Sequence, residues 1–94
     1  MQRHFVYILR CSDGTLYTGY TTDPTRRLDE HNRGRAAKYT RARRPVELVY
    51  VEEVADKSSG LKREYAIKQL PRQKKIKLIE RGGDYDGKTH TRKY

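Results

Sequence analysis

Ninety-four residues allow one domain rather than two, with a core limited to burying about 60–65% of the unfolded chain's surface. Only 34% of the residues are hydrophobic, but eight tyrosines carry large rings with polar tips, which can build a core where aliphatic residues are few and so argue against a disordered chain. A formal charge of +10 asks for a polyanionic partner, and no apolar run approaches the ~18–20 residues that span a bilayer.

Residues 4–11, HFVYILRC, are rich in β-formers, and residues 16–21, LYTGYT, follow the turn signal Ser12-Asp13-Gly14-Thr15. Two such runs around Asp-Gly predict a β-hairpin, because both residues tolerate the positive φ of a tight turn. In the first strand Phe5, Tyr7, Leu9 and Cys11 share one face, and Val6, Ile8 and Arg10 the other. Both faces are largely apolar, which predicts a central strand covered on both sides. Cys11 reads as packing; with no second thiol for a disulfide, the chain reads as cytoplasmic. The N-terminus, MQRHFVYILRCSDG, has neither the apolar length nor the small-residue site of a signal peptide.

A helix follows, capped by Thr22 or Asp23. Pro24 suits its first position, where a missing N–H costs nothing, and Gly34 ends it just past Asn32. Leu28 is its apolar anchor, and Arg27 and His31 stand at i and i+4 on one face. Residues 33–44, RGRAAKYTRARR, hold six basic side chains and no acid. They lack a clean period, so an exposed loop with at most one helical turn is expected before Pro45. Residues 46–54 form a third strand. Asp56, Ser58 or Ser59 caps a second helix over about 57–70, whose Leu61, Tyr65, Ile67 and Leu70 are expected to form its buried stripe. Pro71 breaks it and starts a third helix over 72–81, anchored by Ile76, Leu78 and Ile79. Residues 82–94 are polar and glycine-bearing, and are expected to be a flexible tail beyond a domain of residues 1–81. The order β-β-α-β-α-α predicts an α+β fold, a small three-stranded, mainly antiparallel sheet flanked by helices.

Phe5-Val6-Tyr7 and Tyr17-Thr18-Gly19, with their tyrosines ten residues apart on paired strands, resemble the two signature segments of the GIY-YIG nuclease superfamily. Gly19-Tyr20-Thr21, Asp23, Arg27 and His31 are similar to the Gly-x-Thr, arginine and histidine that follow in that family. Glu64, within Arg63-Glu64-Tyr65-Ala66-Ile67-Lys68, resembles the helix that supplies the family's metal-binding glutamate. The likeness covers residue 4 to about 80 and is strongest to small stand-alone bacterial members; the UvrC excision nuclease and Slx-type structure-specific nucleases carry relatives of the domain. It implies a divalent-metal-dependent endonuclease acting on DNA, structure-specific in repair or recombination. The implied catalytic residues are Tyr7, Tyr17, Arg27, His31 and Glu64. Mg²⁺ or Mn²⁺ is the implied cofactor, with Glu64 as its ligand; one carboxylate suffices because magnesium keeps several waters. Arg27 offers a planar fork of donors that suits phosphate oxygens. Gly19 is expected where a side chain would crowd a backbone close to a ligand. A cation and Arg27 would favour ionised tyrosine, whose ordinary pKa is near ~10. By family analogy Tyr17 activates the attacking water, while Tyr7 and His31 orient water or phosphate. Tyr7 or His31 could share the proton transfer, and His31, whose pKa starts near ~6.5, is the runner-up for the base, which stays open among Tyr17, Tyr7 and His31.

The basic segment reads as a backbone-contacting element, with Arg33, Arg35, Lys38, Arg41, Arg43 and Arg44 meeting phosphates and Tyr39 stacking on a base. Lys74, Lys75 and Lys77 extend the track. The expected partner is nucleic acid, DNA first and RNA second, and not a membrane, since no helix pairs a broad apolar face with a basic one. A monomer or weak dimer is expected. The competing reading is a basic nucleic-acid-binding module with little or no catalysis, in which Glu64 merely pairs with Lys68 one turn on.

Overall fold

The computed structural model describes residues 2–82, 85–86 and 91–92. The two β-rich runs form β1 (His4–Arg10) and β2 (Leu16–Thr21), paired antiparallel. Gly14 takes a φ of 85° in the turn between them, where the Asp13 carboxylate accepts from both the main-chain N–H and the hydroxyl of Thr15. β3 (Glu47–Val54) pairs antiparallel along the other side of β1, so the order is β2-β1-β3 and β1 is central.

Both faces of β1 are covered, as its two apolar stripes require. Phe5, Tyr7, Leu9 and Cys11 join Val46, Leu48 and Val51 on the first face. Val6 and Ile8 join Tyr50 and Ile67 on the second. The pairing of β1 with β3 slips between Ile8 and Leu9, where Tyr50 and Leu48 are their respective partners. This extra residue in β3 breaks the period of two, which is how Leu48 and Tyr50 come to serve opposite faces.

The first face is covered by α1 (Pro24–Asn32) and α2 (Lys38–Arg41), with Leu28 packed on the core. Asp23, not Thr22, caps α1, accepting from the Arg26 N–H at 3.1 Å. α2 is the one turn of helix within the basic segment. That segment is pinned to the hairpin turn by Ser12 N–H donating to the Arg43 carbonyl (2.9 Å) and by an Arg43–Asp13 ion pair (3.1 Å). Asn32 brackets the main chain of Val46, donating to its carbonyl at 3.0 Å and accepting from its N–H at 2.7 Å. It thereby ties the end of α1 to the entry of β3.

The second face is covered by α3 (Lys57–Lys68), capped by Asp56, and by α4 (Arg72–Arg81), whose Leu78 and Ile79 pack on the core. The stripe expected on α3 is wrong by about one residue. Ile67 is buried, but Leu61 and Tyr65 are 45% and 67% exposed. The inner face is instead Gly60, Arg63, Glu64 and Ile67, at i, i+3, i+4 and i+7. Gly60 decides this, because a Cβ there would collide with the Tyr20 ring and Val54. Only a bare backbone lets the helix sit this close to the sheet. Arg63 then locks the rotation by gripping both carboxylate oxygens of Glu52, which also accepts from the Tyr50 hydroxyl.

Beyond α4, β4 (Tyr85–Asp86) pairs with β5 (Thr91–Arg92). The rest of the expected flexible tail lies outside the described residues.

Candidate active site

Tyr7 and Gly19 are direct partners across β1 and β2, and the Tyr7 ring lies over Gly19, where a Cβ would strike it. The expectation that Gly19 makes room for a ligand is therefore corrected: it makes room for Tyr7. β2 is the edge strand, so the ring crosses towards the edge and reaches α1. There its hydroxyl lies 2.8 Å from Nε2 of His31.

His31 is fully buried. Its other ring nitrogen, Nδ1, lies 2.8 Å from the Thr40 hydroxyl, which donates to the Ala37 carbonyl at 3.1 Å. Burial first, and the nearby Arg27 charge second, push the His31 pKa down to about 4, with Glu30 opposing. The imidazole is therefore neutral at pH 7. Burial also drives the Tyr7 hydroxyl far above its ordinary value, against the lowering influence of the nearby Arg27 guanidinium. The charges of Tyr17 and Glu64 act on it as well, so the tyrosines, Arg27 and Glu64 form one electrostatic neighbourhood although α1 and α3 cover opposite faces of the sheet.

Tyr17 is half-buried and edge-on to His31, with ring centroids 5.2 Å apart and planes at 64°. Arg27 pairs with Glu30 at 3.1 Å, but its Nε–H is buried with no partner among the described residues. Glu64 pairs with Lys68 at 2.9 Å, the bland pairing foreseen for it. No cluster of three or more His, Cys, Asp or Glu that could hold a metal exists among the described residues.

The basic segment divides. Arg35, Lys38 and Arg41 are exposed and in no ion pair among the described residues, whereas Arg33 pairs with Asp29 at 2.9 Å. Arg43 and Arg44 donate to main-chain oxygens, Arg43 to Tyr39 and Arg44 to Arg41. The Tyr39 ring already stacks on Tyr17, with centroids 6.0 Å apart, and lies under the Arg43 guanidinium. Lys74 and Lys75 sit on α4, across the sheet from α2, and are not brought together with the segment.

Two residues of the site were missed in the sequence, Glu30 and Thr40. Glu30 is legible in principle, three residues after Arg27 on one helical face. Thr40 carries no local signal, because its contact with His31 spans nine residues and depends on how α2 folds back on α1.

Comparison with known proteins gives this geometry its context. A family model described as the GIY-YIG catalytic domain matches residues 3–77. A UPF0213 protein of Staphylococcus aureus is 60% identical over 80 residues, covering 85% of this chain and 98% of that one. The solution NMR structure of a UPF0213 protein from Bacillus halodurans is 47% identical with a TM-score of 0.56, and that of a protein from E. faecalis is 42% identical with a TM-score of 0.59; each match covers 86% of both chains. The match spans both signature strands, the arginine–histidine helix and the glutamate helix of one continuous fold, and the chain belongs to the GIY-YIG family of nuclease-type domains.

Proposed function

We propose that this protein is an endonuclease that hydrolyses phosphodiester bonds in DNA with a divalent cation, Mg²⁺ or Mn²⁺, at Glu64, acting on branched or damaged structures in repair or recombination. The observation that carries the reading is the buried Tyr7–His31 pair beside an arginine whose Nε–H has no partner among the described residues. A buried donor left unmet in a polar site calls for an acceptor, and a phosphate oxygen is the fitting one.

The donor set fits a hydrated hard cation and not an all-protein cage. Glu64 is one carboxylate, and Mg²⁺ commonly takes one or two, completing its shell with waters and substrate oxygens. The ammonium of Lys68 gives way to it. When bound, the cation supplies charge stabilisation to the phosphate and the leaving oxygen.

The chain's own residues do the rest. Arg27 donates to the non-bridging oxygens, where charge builds as water attacks phosphorus. Tyr17, at the more open side of the pair, orients that water. As the new P–O bond forms and the bond to the sugar oxygen breaks, the water's proton passes to Tyr7 while the Tyr7 proton passes to His31 Nε2. In the free protein burial, and after it the Arg27 charge, hold His31 weakly basic; an anionic phosphate on Arg27 offsets the second of these and raises its basicity.

The Glu64–Lys68 pair favours one alternative, a basic module that binds nucleic acid with little catalysis. Labelled single-stranded, duplex, flap and junction DNA, and RNA, incubated with Mg²⁺ or Mn²⁺, separate the two. Wild-type protein is expected to cut DNA, and Glu64→Ala and Arg27→Ala to lose roughly 100-fold or more. Undiminished cutting by both variants overturns the nuclease reading, and tight binding without any cutting favours the alternative.

A further inference from the structure

We infer that Thr40 is a positioning residue of this site: its buried hydroxyl holds the His31 imidazole as the Nδ1–H tautomer and so keeps Nε2 free to take the Tyr7 proton. The functional half of this rests on the nuclease reading; the tautomer does not.

The assignment follows from matching donors to acceptors. The Tyr7 side chain is buried, and a buried phenol O–H has to be donated. The phenol's own proton then needs an acceptor, and Nε2 of His31, 2.8 Å away, is the one found among the described residues. Nε2 must therefore carry the lone pair and Nδ1 the proton. Thr40 meets this arrangement from the other side. Its hydroxyl proton goes to the Ala37 carbonyl at 3.1 Å, leaving oxygen lone pairs for the Nδ1–H at 2.8 Å. Three donors thus find three acceptors in one direction. The opposite tautomer points Nε2–H at the phenol oxygen, leaves the phenol's proton stranded, and asks Nδ1 to accept a Thr40 proton that already goes to the Ala37 carbonyl. His31 and Thr40 are both fully buried, so water cannot easily make up the loss. A stranded buried donor of this kind shifts an equilibrium by about tenfold or more.

The placement of Thr40 matters as much as its bonds. It lies on α2, between Lys38 and Arg41, two of the segment's three exposed cations without ion pairs among the described residues, and next to Tyr39, which stacks on Tyr17. The turn that presents cations to a phosphate backbone is the same turn that sets the protonation of the catalytic histidine. A threonine bonded to the carbonyl three residues back is also an ordinary helical habit, so the test must read more than stability.

Nitrogen-15 NMR of His31 distinguishes the tautomers directly. Wild type and Thr40→Ser are expected to show Nδ1–H; Thr40→Val, of nearly the same shape, is expected to show a mixture or the opposite tautomer. In cleavage, Thr40→Val is expected to lose about 10- to 100-fold in kcat with KM and the salt dependence of binding unchanged, and Thr40→Ser to regain most of it. An Nε2–H tautomer in wild-type protein overturns the inference, even if Thr40→Val fails to fold. So does Thr40→Val keeping both the Nδ1–H tautomer and full turnover. Absence of cleavage by wild type with the Nδ1–H tautomer intact counts against the nuclease reading and leaves the tautomer lock standing.

Discussion

His31 is neutral because it is buried beside Arg27, and that has a measurable consequence for stability. Its pKa is about 4 in the folded chain and near ~6.5 when unfolded. Between those values the unfolded state binds more protons, so this contribution is fully present above ~6.5 and is lost as pH falls towards 4. Wild type is expected to lose on the order of 2–3 kcal/mol by this route, and His31→Gln, which cannot titrate, to lack that part of the acid loss; urea unfolding of both proteins at pH 7 and pH 4.5 checks it. Tyr7 is the other residue whose environment decides its role. Tyr7→Phe removes the donor to Nε2 while keeping the ring over Gly19. It is expected to cost about 1–2 kcal/mol of stability and at least about 100-fold in kcat, read by denaturant melts and single-turnover cleavage.

Helix α3 shows how one glycine places the proposed metal ligand. Gly60 lets the helix approach Tyr20 and Val54, Arg63 fixes its rotation on Glu52, and Glu64 follows as the next inner residue. Gly60→Ala is expected to destabilise by about 1–3 kcal/mol, since neither the Tyr20 ring nor the helix backbone can yield without repacking. Ile67→Ala is expected to cost about 2–4 kcal/mol, but Tyr65→Lys to stay within about 0.5 kcal/mol, because Tyr65 faces water. Urea midpoints at a common slope decide between this rotation and the stripe through Leu61 and Tyr65.

Across the whole molecule the +10 charge is unevenly available. Arg43 and Arg44 bond main-chain oxygens of their own segment, whereas Arg35, Lys38 and Arg41 are exposed on the segment beside the candidate site. If these three contact phosphates, replacing them together with alanine lowers the slope of log affinity against log salt by about 2–3, at ~0.9 per phosphate on duplex DNA. Lys74→Ala with Lys75→Ala is expected to change the slope little, since α4 lies on the other face. Fluorescence anisotropy across a salt series measures both. Among the described residues no helix is long and apolar enough to cross a membrane.

The sequence by itself determined the elements of residues 4–81 and the family. Alternating apolar residues around Asp13-Gly14 are sufficient for the hairpin and the central strand. The Asp23-Pro24 pair marks the start of α1, and the spacing of Tyr7, Tyr17, Arg27, His31 and Glu64 carries the resemblance, because each signal lies within a few residues of chain. Only the tertiary structure decided what depends on packing between elements. The slip in β3 that sends Leu48 and Tyr50 to opposite faces has no local mark. The face of α3 was misread because a helix of mixed composition is oriented by the bare surface of Gly60, and not by its largest apolar residues. Thr40 remained invisible because hydrogen bonds in a dry interior are chosen by which donors and acceptors the fold brings within 3 Å, a property that no single segment contains.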